Sequence, residues 1–413
     1  MSQTQSTSLV LATFAAVYVG MALGRWPGLK IDRTGIALLG AIVLYASGVV
    51  SAAMVFEAIE FPTLIILFGL MVLSAQFAAC GFYDWCSARI AATHASPAAI
   101  LALTVAVAGF MSAILVNDVV VFAMTPMLIK GLLRRGLDPR PYLIALAGAA
   151  NAGSAATVIG NPQNILIGQV GRLDFWGFVA VCGPPALLAL VTVFAVVWLV
   201  WRKRLSRATA ENSVEVPPVD GFGLGKGILA TLVLLALFTT RLPHVADVLV
   251  VTAALLVSRR LATREILGLV DWHLLVLFGG LFVVTFALAQ TELPGLAFAA
   301  LAAAGIDFKQ PAVMALTMLV GSNVIGNVPI VVLLLAILKD LPAETLYALA
   351  VLSTLAGNLL IVGSVANIIV AERAKDSGVI LGFAEHAKCG IPITLLSLGL
   401  ALGWFWARTA IGV

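Results

Sequence analysis

Charged residues are scarce in this sequence. Asp, Glu, Lys and Arg together make up 11% of the 413 residues, whereas a soluble domain has about 25%. Hydrophobic residues make up 62%. These proportions exclude an ordinary soluble protein and predict an all-α polytopic membrane protein embedded in the lipid bilayer. The net charge of +4 does not indicate nucleic-acid binding, because the basic residues lie in predicted loops.

The motifs of enzymes and ATP-driven pumps are also missing. The sequence contains no HExxH, no GxSxG, no paired Asp-rich motif and no Walker A sequence. The four histidines lie at the ends of different apolar segments, and the four cysteines have no CxxC spacing, which disfavours a metal site. The N-terminal "MSQTQSTS" has no basic n-region, so a cleaved signal peptide is not expected. We therefore expect neither an enzyme nor a cofactor, apart from a coupling sodium ion or proton.

Apolar segments fill most of the chain, and only one long polar stretch, residues 201–227, interrupts them. This stretch divides the chain into a first repeat at 1–205, a cytoplasmic linker at 206–225 and a second repeat at 226–413. The apolar segments lie near 8–24, 33–53, 62–82, 99–134, 141–169, 180–201, 226–240, 245–259, 272–290, 311–338, 344–371 and 388–407.

Three blocks of the first half recur in the same order in the second half. "LIILFGLMVL" (64–73) corresponds to "LLVLFGGLFV" (274–283) at an offset of 210 residues. The same offset relates Asn117 to Asn327. After one modest deletion, an offset of 203 relates "VIGNPQNILI" to "IVGSVANIIV". Three ordered matches at nearly one offset indicate an internal duplication.

The distribution of basic residues predicts the orientation. We assume five crossings in each half, plus one element, 99–134 or 311–338, that enters and leaves on the same side. With both termini outside, nineteen of the 24 basic residues are then cytoplasmic, as the positive-inside rule requires. An odd number of crossings makes the repeats inverted, which is typical of secondary transporters. A re-entrant hairpin and two full spans agree equally with the charges, but the short Val-Asn-Asp connection favours a hairpin.

Residues 157–168, "TVIGNPQNILIG", place polar residues inside an apolar segment. Asn161 can cap a helix that has Pro162 at its first position, where the missing N–H costs nothing. The helix in 141–169 is therefore predicted to end near Gly160 and to be unwound at 158–163. Such a break at membrane depth is tolerated only where protein or a cavity satisfies the backbone.

Related patterns occur at three other positions. Residues 327–329 read Asn-Val-Pro, and residues 363–364 predict a weaker break, unwound at 361–366, in the segment 344–371. At the first hairpin tip, Asn117 or Asp118 can cap the following helix. Four helix N-termini would then meet near the bilayer midplane and favour an anion or a group rich in acceptors. The predicted binding residues are Asn117, Ser154, Thr157, Gly160, Asn161, Asn164, Asn327, Gly363, Ser364 and Asn367.

Asp118 is the one acidic residue that this topology places at the membrane midplane. Charged groups there are costly and are usually functional. Asp118 is therefore the candidate that carries the coupling proton or helps to hold a sodium ion. The alternative is that its carboxylate only caps the second arm of the hairpin.

The four segments "LVNDVVVFAMTP", "IGNVPIVVL", "TVIGNPQN" and "LIVGSVAN" resemble the ion transporter superfamily. This group includes arsenite permeases, divalent-anion/sodium symporters, citrate carriers and some sodium/proton antiporters. The resemblance implies a scaffold and a transport domain that moves in an elevator-like way, often in a homodimer. It also implies that energy comes from an ion gradient or from a separate cytosolic ATPase partner.

The hairpin tips depart from the dicarboxylate symporters, which have Ser-Asn-Thr at each tip. Here the tips read Val-Asn-Asp (116–118) and Gly-Asn-Val (326–328). The Asn-Asp tip is closer to the arsenite permeases. We therefore expect efflux of arsenite, antimonite or a related small oxyanion across a bacterial inner membrane. A sodium/proton antiporter and a carboxylate symporter on the same fold are the alternatives.

Overall fold

The structure is a computed structural model of the chain. It describes residues 3–24, 26, 28–93, 95–205, 215–240, 242–303, 305, 307–338 and 340–411. Residues 206–214 of the predicted linker lie outside the described residues. The first half forms ten helices: α1 (Gln3–Leu23), α2 (Arg33–Ala46), α3 (Ala52–Ala58), α4 (Phe61–Ala79), α5 (Phe82–Ala92), α6 (Pro97–Ile114), α7 (Asn117–Arg134), α8 (Arg140–Ser154), α9 (Pro162–Gly171) and α10 (Phe175–Leu205).

The second half forms another ten α-helices and one short 3₁₀ turn, Ile361–Gly363, among the described residues. The helices are α11 (Gly221–Leu237), α12 (His244–Leu256), α13 (Thr263–Gly268), α14 (Trp272–Ala289), α15 (Leu293–Ala303), α16 (Pro311–Ile325), α17 (Asn327–Ile337), α18 (Ala343–Ala356), α19 (Val365–Asp376) and α20 (Phe383–Ile411).

Six of the described helices are long and apolar enough to cross a membrane. The shortest of them has 18 residues, which corresponds to about 27 Å of helix and nearly matches a hydrocarbon core of about 30 Å. The predicted all-α polytopic fold is confirmed. The six segments are Thr4–Leu23, Phe61–Ala79, Pro97–Ile114, Phe175–Leu205, Trp272–Ala289 and Phe383–Ala410.

Two pairs of consecutive helices turn sharply where the sequence places its hairpins. Helices α6 and α7 are separated only by Leu115 and Val116, and α16 and α17 only by Gly326. Helix α17 has 11 residues and is therefore about 16 Å long, too short to cross the hydrocarbon core. Length does not decide the course of α6 and α7, which have 18 residues each. Their re-entrant course stays a prediction.

The helices pack into two groups. Helices α1, α2, α4, α11, α12 and α14 contact one another, and helices α6–α10 and α16–α20 form the second group. Within the second group, α6 and α8 approach so closely that a Cβ at Gly153 would clash with the backbone of Gly109. The groups meet where α9 contacts α4 and where α17 contacts α14. All the predicted site residues lie in the second group.

Candidate functional site

The first break in the second helix group lies between α8 and α9. Helix α8 ends at Ser154, a few residues before the predicted end, and α9 begins at Pro162. Asn161 has an extended backbone (φ −152°), and its Oδ1 accepts the N–H of Asn164 at 2.9 Å. The predicted Asn161 cap with Pro162 at the first helical position is therefore confirmed. Gly160 is required for space, because a Cβ there would stand 2.7 Å from the Cα of Ser154.

The second break lies between α18 and α19. Helix α18 ends at Ala356 and α19 begins at Val365, so the helix is interrupted at 357–364, a few residues earlier than predicted. Ser364 precedes α19 in an extended conformation (φ −142°), and its side chain makes no capping hydrogen bond. A Cβ at Gly363 would stand 2.8 Å from the carbonyl oxygen of Gly357. The backbone therefore folds tightly over itself at both breaks.

Asn164 and Asn367 make equivalent hydrogen bonds in the two halves. Asn164 Nδ2 donates to the carbonyl oxygens of Ser154 and Thr157, ten and seven residues earlier, at 3.1 and 2.9 Å. Asn367 Nδ2 donates to the carbonyl oxygens ten and seven residues before it, at 2.9 and 3.1 Å. Both amides thus satisfy carbonyl groups that lost their helical partners at the break. The equivalence matches the sequence offset of 203.

Asn151 is a hub that the sequence analysis missed. Its Nδ2 donates to Asn358 Oδ1 at 2.8 Å and to Asn367 Oδ1 at 3.1 Å. Its Oδ1 accepts from Asn117 Nδ2 at 3.3 Å and from Ser364 Oγ at 2.9 Å. The side chain is fully buried and uses its entire hydrogen-bonding capacity. An Asn in the middle of an apolar helix was the available signal.

Thr354 is the counterpart of Asn151, 203 residues later in the chain. Its Oγ1 accepts from Asn161 Nδ2 and from Gln163 Nε2, both at 3.2 Å. Ser364, which bonds to Asn151, is likewise the counterpart of Asn161. The residue that precedes each second half-helix therefore bonds to the equivalent position of the other half. This reciprocal pairing is what a pseudo-twofold axis between the halves requires.

The hairpin tips are not capped as the sequence suggests. Asn117 and Asp118 are the first two residues of α7, and Val116 occupies the capping position without a side-chain hydrogen bond. The expectation that either side chain caps α7 is wrong. The N–H of Asn117 instead donates to Gly160 O at 3.0 Å, which joins the tip to the first break. The physical reason is that a tertiary carbonyl replaces the local cap.

At the second tip, too, the asparagine does not occupy the capping position of the helix that follows. Gly326 occupies the capping position of α17 with φ 98°, a conformation that only glycine adopts readily. Asn327 is the first residue of the helix, and its Oδ1 accepts the N–H of Val328 at 3.0 Å. It is buried, but within the described residues it makes no side-chain bond to Asn151 or Thr354. Asn327 therefore stands apart from the two networks.

The remaining predicted residues, Ser154 and Thr157, form hydrogen bonds around the first helix break. Ser154 Oγ accepts from Asn161 Nδ2 at 2.9 Å and donates to the carbonyl oxygen of Asn151 at 2.9 Å. Thr157 Oγ1 donates to Ala113 O on α6. Within the described residues, the networks around Asn151 and Thr354 contain only amide and hydroxyl side chains. Most of their groups bond to one another, but Asn117 Oδ1 and Asn164 Oδ1 have no partner among the described residues. A ligand can bond to these oxygens, and the networks hold no charged group for an ion pair.

Asp118 lies apart from these networks, in the wall of a cavity of about 810 Å³. Its side chain is buried, with 7% of the residue exposed. The same cavity is lined by Val116 of the hairpin tip, by residues of α7 and α19, and by the segment 268–274. The asparagines of the networks are absent from the described wall. The structure thus separates a packed amide cluster from a cavity that contains the buried carboxylate of Asp118.

Broken helices paired across two related halves, beside a cavity that reaches a buried carboxylate, define a membrane transporter. The family model described as a citrate transporter matches residues 18–345. Because this match covers most of the sequence, the chain belongs to the citrate transporter family.

Relatives of the chain are named as transporters or membrane proteins. The silicon efflux transporter LSI3 of Oryza sativa subsp. japonica is 26% identical, with 91% of this chain and 93% of that protein covered. The putative transporter arsB of Dictyostelium discoideum is 25% identical, with 89% and 86% covered. The inner membrane protein YbiR of Escherichia coli is 31% identical, with 77% and 81% covered. These similarities agree with the resemblance to the ion transporter superfamily.

A solved structure has the same fold. The YdaH transporter of Alcanivorax borkumensis superposes on this chain with a TM-score of 0.59, and the match covers 99% of this chain and 98% of that one. The two sequences are 14% identical. The likeness therefore concerns the fold and says nothing about the substrate.

Proposed function

We propose that this protein is a secondary active transporter that exports a small oxyanion or its conjugate acid, of the arsenite or antimonite type. A proton or sodium gradient drives the export. The two hairpins and two broken helices move past the first helix group in an elevator-like way. Their division into two inverted repeats is part of this proposal.

One observation carries the proposal. Asp118 is buried on the first turn of α7, in the wall of the large cavity. An ionised carboxylate at such a depth is costly unless a proton, a cation or a polar ligand compensates it. Asp118 makes no side-chain cap bond, so its structural role at the start of α7 is limited to the interaction with the helix dipole. Ion coupling is therefore the role that Asp118 suits best.

The amide networks favour an oxygen-rich substrate. Asn and Ser side chains both donate and accept hydrogen bonds, so they suit a ligand with hydroxyl groups and oxygen acceptors. The starts of α7, α9, α17 and α19 add backbone N–H groups and the positive ends of helix dipoles. The name of the rice relative, a silicon efflux transporter, supports a hydroxylated inorganic acid as the class of substrate.

The test is flux in proteoliposomes that contain the full chain. Arsenite and antimonite are supplied with an imposed pH gradient, with a sodium gradient and with neither. Asp118→Asn should abolish gradient-driven flux, because an amide carries no charge and cannot be protonated or deprotonated near neutral pH. Asp32→Asn is the matched control, since Asp32 only caps α2 and Asn caps equally well. Gradient-driven flux in Asp118→Asn at the wild-type rate would contradict ion coupling through this residue.

A carboxylate symporter is the second candidate, and the description of the matching family as a citrate transporter favours it. The same vesicles therefore receive citrate and a dicarboxylate. Gradient-driven uptake of citrate, without flux of arsenite or antimonite, would replace the first proposal by the second. The tips of this chain lack the hydroxyl residues of the dicarboxylate symporters, so we expect the opposite result.

A further inference from the structure

The cavity that contains Asp118 lies between elements of both helix groups and both halves. Helix α7 comes from the first half and α19 from the second, and the two pack against each other. The segment 268–274, which leads into α14, and the start of α5 also line the cavity. A volume of about 810 Å³ lies within the usual range of small-molecule sites, roughly 300–1,000 Å³. The space is therefore large enough for a small substrate.

Arg373 is the basic residue of this wall. It lies one helical turn after Ile369, and both side chains line the cavity. The guanidinium carbon of Arg373 lies 3.9 Å from the ring centroid of Phe122, which also lines the cavity. A guanidinium over an aromatic face is stabilised by the ring, and this contact holds its plane in a defined orientation.

The hydrogen-bonding state of Arg373 points to a ligand. Its Nε is buried and has no hydrogen-bond partner among the described residues. A buried donor without a partner costs about 1–3 kcal/mol, and more when it is charged. Nε itself is enclosed, so an oxygen acceptor in the cavity would approach the terminal nitrogens of the guanidinium.

The other charges of the wall limit what this ligand can be. The cavity is also lined by Asp84, Asp118, Asp271 and His273, so carboxylates outnumber the one arginine. A dianion would be repelled by these carboxylates. A protonated oxyacid accepts hydrogen bonds from a guanidinium and donates its hydroxyl hydrogens to carboxylates. Its chemistry matches both signs of charge in the wall.

We propose that Arg373, stacked on Phe122, is a substrate-binding residue that receives an oxygen of a protonated inorganic oxyacid, while Asp118 accepts a hydroxyl hydrogen from the same ligand. This assignment rests on the proposed function. It adds a binding position in the cavity to the amide cluster. It also brings together residues of both halves, so the site exists only when α7 and α19 are packed against each other.

The competing explanation is that Arg373 only holds α7 and α19 together through Phe122. The two explanations differ in what they predict for ligand affinity. A purely structural arginine changes the thermal stability but not the dissociation constant of the folded fraction. A binding arginine changes the dissociation constant. The chain also contains a comparable pair outside the cavity, since Arg260 lies 4.4 Å from the ring centroid of Phe222.

The experiment measures equilibrium binding of arsenite, and separately of antimonite, to the purified full chain in nanodiscs by dialysis and elemental analysis. Arg373→Gln should raise the dissociation constant about tenfold or more, since a hydrogen bond to a charged group contributes roughly 1.5–3 kcal/mol. Arg373→Lys keeps the charge but loses the planar fork, so it should lie between Gln and wild type. Arg260→Gln, the matched control, should bind like wild type. Thermal melting of each variant reports the structural effect separately.

The outcomes separate the two proposals. If wild type binds and Arg373→Gln binds equally well, the assignment of Arg373 is overturned, whatever its effect on melting, and the proposed function stands. If Arg373→Gln does not fold, a wild-type dissociation constant in Arg373→Lys overturns the assignment instead. If wild type binds neither probe, the proposed function is wrong, and the assignment of Arg373 is overturned with it.

Discussion

Replacing Asn151 with leucine tests whether the amide network holds the two halves together. Leucine fills a similar volume but removes both donors and both acceptor positions of the hub. The change leaves the acceptor oxygens of Asn358 and Asn367 and the donors of Asn117 and Ser364 without their partner. All four side chains are buried, so water cannot replace the lost bonds.

The magnitude follows from the number of bonds. Side-chain hydrogen bonds between membrane helices contribute about 0.6 kcal/mol each on average, with a maximum of about 1.7. Loss of the four bonds of Asn151 should therefore lower the free energy of unfolding by about 2–3 kcal/mol. Asn367 Oδ1 loses the bond from Asn151, while Asn367 Nδ2 keeps its two backbone carbonyl partners and holds the side chain in place.

Thr354→Val is the internal comparison, because Thr354 occupies the equivalent position of the other half. Valine keeps the shape of threonine and removes only the hydroxyl that accepts from Asn161 and Gln163. Two such bonds correspond to about 1 kcal/mol, roughly half of the effect at Asn151. The hydroxyl of Thr354 also donates to Ala350 O within its own helix, a bond whose loss is unimportant because the helical N–H partner of that carbonyl remains.

The assay is reversible unfolding of the purified protein on transfer from mild detergent to SDS, followed by tryptophan fluorescence or circular dichroism. Both variants are measured in the same detergent mixtures. If Asn151→Leu lowers the free energy of unfolding no more than Thr354→Val does, Asn151 is not the central residue of the network. An unchanged free energy in both variants would show that the network contributes nothing to the contact between the halves.

Gly160→Ala should lower the free energy of unfolding by about 2 kcal/mol, because the new Cβ would meet the backbone of Ser154. Gly399→Ala is the control in the same SDS titration, because its new Cβ meets no atom within 4 Å. It should stabilise the protein by about 0.5–1 kcal/mol. Equal changes in the free energy of unfolding in the two variants would refute the steric argument. Burial opposes ionisation of Asp138, but hydrogen bonds and the charge of Arg140 outweigh it and hold the pKa of Asp138 below its ordinary value. The ion pair therefore stabilises the fold above a pH of about 4, and this contribution, less than about 1 kcal/mol, is lost as the pH falls further. In Asp138→Asn, the free energy of unfolding should therefore fall less steeply as the pH drops below about 4. The same fall as in wild type would contradict the role of this ion pair.

The sequence by itself determined the features that depend on local chemistry. Asn161 followed by Pro162 predicts a helix start in any environment, because the amide accepts a free N–H and proline needs none. The structure places α9 accordingly. The shared offsets predicted that Asn164 and Asn367 have equivalent surroundings, and their hydrogen bonds agree in every partner position.

Only the tertiary structure decided which groups meet. Asn151 bonds to residues more than 200 positions away, and no local pattern specifies such partners. The tips show the same limit: Asn117 resembles a cap, but a carbonyl of the distant Gly160 satisfies its N–H instead.

Arg373 and Phe122 were also beyond the reach of sequence reasoning. In a soluble helix, the polar side and the apolar side reveal which face is buried. Helices in a bilayer are apolar on every side, because lipid and protein interior are similar solvents, so the pattern does not tell which face packs and which lines a cavity. The cavity between α7 and α19 therefore becomes visible only when the two halves are packed together.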